Sequence, residues 1–188
     1  MSVCRCGWVT QDPEYMYYHD HEWGVPVHDE DHMFEFLVLE TFQAGLNWLT
    51  ILKRRDNFRN AFDGFDARRV AAYTEEDVQR LMSNNGIIRN RRKILAAIVN
   101  AKATIKLRDT SGGLCEYLWS FVGTQPLQPN YGTDAEVPAQ TELSKLIAKD
   151  MKVRGFQFVG PIVMYAHLQA SGCTNDHISS CFRHKELS

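Results

Sequence analysis

FEFLVLETFQAGLNW, Phe34 to Trp48, decides how this chain is read. It opens as a near-continuous apolar helical run, too short and too interrupted to cross a membrane. One carboxylate, Glu40, sits among Leu37, Val38, Leu39 and Phe42. Helical geometry brings Leu37, Glu40 and residues 42–44 within about one turn of each other. An ionised acid there is costly unless it is paired or hydrogen-bonded. Two readings follow: a snorkelling or paired surface glutamate, or a pocket acid that recognises a cationic or hydrogen-bond-donating ligand. The next residues favour neither a longer helix nor a strand. Gly45 breaks the helix, Asn47 is placed to cap the next one, and Trp48 lands close to Glu40 across the break. An acid beside an aromatic platform at a helix junction suits a flat, charged ligand.

Outward from this stretch the chain reads as helices joined by short turns. Residues 1–11 are irregular. Asp12-Pro13 is an N-cap followed by proline at the first helical position, and that helix ends near Trp23-Gly24. Asp29 or Asp31 starts the helix that holds Glu40. Asn47 starts one running to about Phe62, and Asp66 caps a short one from Arg68 to Ala72. Thr74 and Asp77 resemble a capping box, whose helix stops at Asn85-Gly86. A long amphipathic helix follows the basic run Arg89, Arg91, Arg92, Lys93 and extends to about Arg108. Gly112-Gly113 precede a short helix through Leu118, Trp119 and Phe121. Residues 123–140, with Pro126, Pro129, Gly132 and Pro138, form an ordered but irregular loop. Glu142 to Val153 is helical, 154–161 is a tight turn, and a further helix runs to Gly172. A last short helix is expected to hold His177 and Cys181. No alternating strand-length run and no repeat is present, so the expected fold is all-α, a single domain over residues 1–188 with two helical lobes.

Composition bounds the function. The 188 residues suffice for one good core. Apolar content of 44% and charged content of 23% are those of a soluble globular protein. The net charge of −2 does not advertise nucleic acid, so an anionic partner must be met by a local patch. No secretory signal or membrane span is visible. Five cysteines, an odd number, favour thiols or metal ligands in a reducing compartment over disulfides. A cytoplasmic location in a bacterial cell is the expectation.

Three groups of residues carry chemistry. Cys6 and His19 near one end, with His177 and Cys181 near the other, make two sulfurs and two imidazoles, a closed tetrahedral set of the structural zinc kind. Cys4 competes with Cys6, and His21 with His19. The turn Arg154-Gly155-Phe156-Gln157-Phe158-Val159-Gly160-Pro161 lets backbone come close to a ligand. The helix opened by Pro161 offers free N–H groups to an anion, and Lys152, Arg154 and the run 89–93 add positive charge. An ordinary helix–helix turn has the same pattern. Trp8, Tyr15, Tyr18, Trp23 and Trp48 form the third group. Such aromatics are usually core, but their crowding near Glu40 favours a stacking pocket for a flat base.

RCGWV (5–9), QDPEYMYYHDHEWGVP (11–26), FEFLVLETFQAGLNWLTIL (34–52), NNGIIRNRRKI (84–94), WSFVGTQP (119–126), RGFQFVG (154–160) and NDH…C (175–181) together resemble the 3-methyladenine DNA glycosylase I family of the helix–hairpin–helix glycosylases. The resemblance covers almost the whole chain in order. It implies a zinc ion held by Cys6, His19, His177 and Cys181. It implies that Glu40 and Tyr18 hydrogen-bond a methylated adenine on which Trp48 stacks, in a pocket shaped by Trp8, Trp23 and Tyr15. It implies that RGFQFVG, with Arg154, Gly155, Phe156 and Gly160, is the DNA-binding hairpin, and that Leu46, flanked by Gln43 and Gly45, is a candidate wedge. Many relatives in the superfamily carry a catalytic aspartate two residues before the histidine of the last motif, where this chain has Asn175. Bifunctional ones carry a lyase lysine just after the hairpin, where this chain has Pro161-Ile162. Both departures imply a monofunctional glycosylase without strand cleavage. The expected partners are alkylated double-stranded DNA and free 3-methyladenine as product, and the expected state is a monomer. A zinc-stapled module that recognises lesions without cutting is the alternative. A zinc hydrolase fits poorly, because the ligand set leaves no position for water.

Overall fold

In the computed structural model, which describes residues 3–188, helix follows helix. The only sheet-like contact among the described residues is an isolated bridge between Leu127 and Thr174. The helices are α1 (Pro13–His21), α2 (Glu30–Gln43), α3 (Trp48–Leu52), α4 (Arg55–Ala61), α5 (Ala67–Ala71), α6 (Glu75–Ser83), α7 (Arg91–Ser111), α8 (Leu114–Val122), α9 (Glu142–Val153), α10 (Pro161–Ala170) and α11 (Phe182–Glu186). Their starts follow side-chain chemistry. Asp12, Asp29, Asn47 and Asp66 each accept a hydrogen bond from a backbone N–H of the first turn. Asp77 accepts from the N–H of Thr74 at 3.0 Å. Of the two aspartates expected to open the central helix, Asp29 is the cap.

The core is built around α2. Every residue from Met33 to Phe42 is buried, because α7, α8 and α10 pack on different sides of this helix. A helix enclosed all round shows little amphipathic pattern, which is why 34–42 reads as a continuous apolar run. Glu35, also buried, is matched by Arg59 at 3.0 Å.

Two elements differ from expectation. The helix expected from Asn47 to about Phe62 is broken at Lys53-Arg54 into α3 and α4. The break lets the Arg54 guanidinium donate to Asn85 O and Gly86 O, at 3.0 and 3.2 Å, while Phe58 and Phe62 turn fully into the core. His177 and Cys181 do not share a helix either. Residues 175–178 are irregular, and Cys181 is the N-cap of α11. The backbone there is satisfied from a distance: Asn175 N donates to Leu127 O and Ser179 N to Tyr131 O, both at 2.8 Å. With those donors engaged by the 127–131 loop, no i to i−4 ladder forms. That loop, expected to be irregular, is so apart from a short 3-10 turn at Asp134–Glu136.

Candidate active site

Glu40 lies on the last turns of α2 and is 4% exposed. No hydrogen bond from a described residue relieves its carboxyl, and burial alone pushes its pKa from 4.5 to about 8. It opens on a cavity of about 370 Å³, at the small end of the range for ligand pockets. One wall is Tyr15 and Tyr18 from α1 with Gln43 and Trp48. Trp8 and Trp23 form a second, and Ala166, Gln169 and Asp176 face in from the side of α10. Asp134 and Val137 of the long loop line the rim.

The aromatic walls are mutually packed. Tyr18 and Trp48 have ring centres 5.5 Å apart, Trp8 and Tyr15 5.1 Å, and Trp8 and Trp23 5.0 Å in an edge-to-face pair. Burial, and then the nearby Glu40, push the Tyr18 hydroxyl well above its ordinary range and Tyr15 in the same direction. The Trp48 indole N–H is buried with no acceptor among the described residues. An unmatched buried donor beside an unmatched buried acid is unusual in a finished core, and both belong to the lining of this cavity.

Asp176 is the lining residue the sequence did not single out. It is 1% exposed, and its carboxylate accepts from the hydroxyl of Tyr165, from Gln169 Nε2 at 2.7 Å and from Thr174 Oγ1 at 2.6 Å. The only signal in the sequence is its place beside His177, next to Asn175. Asn175 points elsewhere: its Nδ2 donates to Gln128 Oε1 and His184 O, each at 2.9 Å.

Behind Trp8 and Trp23 the two ends of the chain meet. One ligand atom from each of Cys6, His19, His177 and Cys181 lies within 4.8 Å of the others, all four residues are buried, and this cluster could hold a metal ion. Cys181 Sγ is 3.5 Å from both His19 Nε2 and His177 Nδ1, and Cys6 Sγ is 3.6 Å from His177 Nδ1. The outward ring nitrogens are engaged, His19 Nδ1 with Asp20 at 2.8 Å and His177 Nε2 with Trp23 O at 3.0 Å. Arg5 fixes Asp20 in turn, at 2.6 Å. Such outer partners orient an imidazole lone pair toward an ion. The neighbouring Cys6 thiol pulls the Cys181 thiol well below its usual range, while Cys6 is pushed up by that neighbour and by burial. Two lone-pair nitrogens and a sulfur pair of this character fit a thiophilic cation. Cys4 is exposed, and the ring of His21 packs on Tyr17 instead.

The turn between α9 and α10 is held rigidly. Gly155 adopts φ +92° and Gly160 is the N-cap before Pro161. Phe156 is 3% exposed, so its side chain belongs to the core, and its N–H donates to Met151 O at 3.0 Å. Arg154 lies over the Tyr117 ring and pairs with Asp150 at 2.6 Å. At the end of α2, Gly45 takes φ +83° and Leu46 is 39% exposed.

The chain is similar in sequence and fold to known proteins. The family model for methyladenine glycosylases matches residues 8–184. The chain is 48% identical over 177 residues to DNA-3-methyladenine glycosylase 1 of Escherichia coli K12, covering 94% of this chain and 95% of that protein. A crystal structure of 3-methyladenine DNA glycosylase I superimposes with a TM-score of 0.92 at 47% identity, covering 95% of this chain and 98% of that one. A tyrosine-to-phenylalanine variant of such an enzyme, solved with 3-methyladenine, gives 0.91 at 34% identity over 95% and 96% of the two chains. An all-helical fold around a buried acid in an aromatic pocket is thus that of a DNA base glycosylase. The chain belongs to the methyladenine glycosylase family, whose enzymes hydrolyse the bond between base and sugar.

Proposed function

We propose that this chain excises 3-methyladenine from alkylated duplex DNA by hydrolysing its N-glycosidic bond, without cutting the strand, as the first step of base excision repair. The observation that carries the proposal is Glu40: a buried acid without a partner among the described residues, opening on a cavity of nucleobase size walled by aromatic rings.

The chemistry follows from that setting. Methylation at N3 leaves the adenine cationic and its glycosidic bond weakened, so departure of the base needs little general-acid help. The protein's task is to take the nucleotide out of the stack, hold the base and admit water to an oxocarbenium-like sugar. The approach of a cationic base lowers the pKa of Glu40, whose proton passes to solvent as the base enters, and the carboxylate then pairs with donors on the base where water is excluded. Tyr18 adds a hydroxyl, Trp48 a stacking face, and Trp8, Trp23 and Tyr15 the shape. Neutral adenine offers no such charge. Asp176, held by its three donors, presents its carboxyl group to the same cavity from the side of α10.

Duplex DNA would be held by backbone N–H groups of residues 158–160 and the start of α10, with Gly155 and Gly160 allowing close approach and Phe156 supporting the turn from below. Arg154 adds charge while remaining tied to Asp150. Leu46, raised by Gly45 and flanked by Gln43, would fill the space left by the flipped nucleotide. Cys6, His19, His177 and Cys181 would hold zinc, which supplies a crosslink between the chain ends, because four protein ligands close its coordination shell.

The test is to incubate methylated duplex DNA with the protein and separate the released bases by chromatography. Free 3-methyladenine is expected, with 7-methylguanine left in the DNA and no strand break until alkali is added. Release of several alkylated bases would show a looser pocket than Glu40 and the aromatic rings define. DNA binding with no released base would overturn the proposal.

A further inference from the structure

Two buried polar side chains on α7 lie outside the pocket and have no part in the chemistry above. Lys93, in the first turn, is 7% exposed. Its Nζ donates to Phe42 O at 2.8 Å and to Ala44 O at 2.7 Å, the open carbonyls at the end of α2. Asn100 is fully buried. Its Nδ2 donates to Gln157 O at 3.0 Å and its Oδ1 accepts from Gln157 N at 2.7 Å, so it grips one residue of the α9–α10 turn from both sides. Seven residues separate the two, which places them on one helix face about 10 Å apart.

Each holds a different turn. Lys93 fixes the segment in which Gln43 Nε2 donates to Leu46 O at 2.8 Å and Ala44 N donates to Glu40 O at 3.3 Å. Asn100 fixes residues 154–160. Burying a lysine without a carboxylate partner is costly, and the carbonyl end of α2 is the natural counter-charge. A helix end exposed to water would not need it. Asn100 likewise substitutes a side-chain amide for water at a backbone pair.

We infer that α7 is a ruler: Lys93 and Asn100 are positioning residues that set the distance and angle between the Leu46 turn and the α9–α10 turn, so that both engage one duplex at once. This rests on the reading of those turns as DNA contacts given above. A rigid element spanning two contact points removes a freedom that would otherwise be lost on binding, and small misplacements of a reacting group are amplified in rate.

The experiment compares the wild-type chain with Lys93→Met, which keeps the stem and removes the donors, and Asn100→Asp, which keeps the acceptor toward Gln157 N and removes the donor. Three quantities are read: excision from methylated duplex in a single turnover, affinity for a duplex carrying an abasic-site analogue, and affinity for free 3-methyladenine from tryptophan fluorescence. Lys93→Met is expected to lower the two duplex quantities by roughly 10- to 100-fold, with free-base affinity kept within about twofold. Asn100→Asp shifts the same two quantities by a smaller factor. Because Lys93 acts through the Leu46 turn, Leu46→Ala lowers duplex excision in the wild type but adds little to Lys93→Met. Unchanged duplex behaviour, a proportional loss of free-base binding, or full additivity with Leu46→Ala overturns the inference. If Lys93→Met does not fold, Lys93→Gln, with one donor kept, carries the same comparison. A wild-type chain that releases no base overturns the proposed function instead, and duplex affinity still reports on α7.

Discussion

Glu40 has the acidity of a weak base's conjugate acid, and this has a measurable consequence for stability. Its pKa is 4.5 in an unfolded chain and about 8 in the fold, because burial disfavours the charge. Between those values the folded protein holds a proton that the unfolded chain has lost. Stability therefore falls as pH rises from about 4.5 to about 8, by at most about 1.4 kcal/mol per pH unit, and levels off above. Glu40→Gln has no such group. Its melting temperature is expected to match the wild type near pH 5 and to exceed it increasingly up to pH 8, while its affinity for free 3-methyladenine falls more than its affinity for DNA. Thermal denaturation across that range checks the first part, and parallel curves for the two proteins would contradict it. Glu40 was legible in the sequence because an acid inside an apolar helix stands out locally. Asp176 was not, because what makes it part of the pocket is the company of Tyr165 and Gln169, brought to it by packing.

At the scale of elements, two glycines with positive φ separate backbone strain from crowding. Gly45, at φ +83°, has nothing within 4 Å of where a Cβ would stand. Gly172, at φ +69°, would put its Cβ 2.3 Å from the Val25 carbonyl carbon and 2.4 Å from Pro26 N, backbone that cannot swing aside. Gly45→Ala is expected to cost about 1 kcal/mol from conformation alone. Gly172→Ala is expected to cost more than about 3 kcal/mol, since it adds overpacking against the main chain. Urea denaturation of both variants checks the order, and equal losses would mean that the contact of 172 with 25–26 relaxes freely. The same division explains which elements the sequence revealed. Helix starts at Asp12, Asp29, Asn47 and Asp66 are set by a side chain and amides two or three residues away, so they can be read locally. The irregular path through 175–178 is set by Leu127 and Tyr131, remote in sequence, and a spacing of four between His177 and Cys181 therefore resembled a helical turn that does not exist.

Over the whole molecule, the chain ends close on each other behind the pocket, and the pocket depends on that closure. Trp23 packs edge-on against His177 at 4.6 Å and Trp8 against His19 at 5.2 Å, so the rings that shape the cavity rest on the four-residue cluster. Glu40 and Trp48 are carried instead by α2 and α3, and neither residue belongs to the cluster. Removing a metal from the cluster should thus act unevenly. After treatment with a strong chelator, or in Cys181→Ser, the sulfurs and imidazoles lose the charge that holds them together, and the segment carrying Cys6 and Trp8 loosens first. The expected outcome is one zinc per chain before treatment by elemental analysis, then a lower melting temperature, most of the helical circular dichroism retained, and weakened binding of free 3-methyladenine despite an intact Glu40. Tryptophan fluorescence should shift as Trp8 and Trp23 meet water. Restored zinc should reverse each change in the chelated wild type and less so in Cys181→Ser, which lacks one ligand. A metal-free chain that melts at the same temperature and binds the base equally well would show that packing alone holds the ends, and that the cluster is not what keeps the aromatic wall in place.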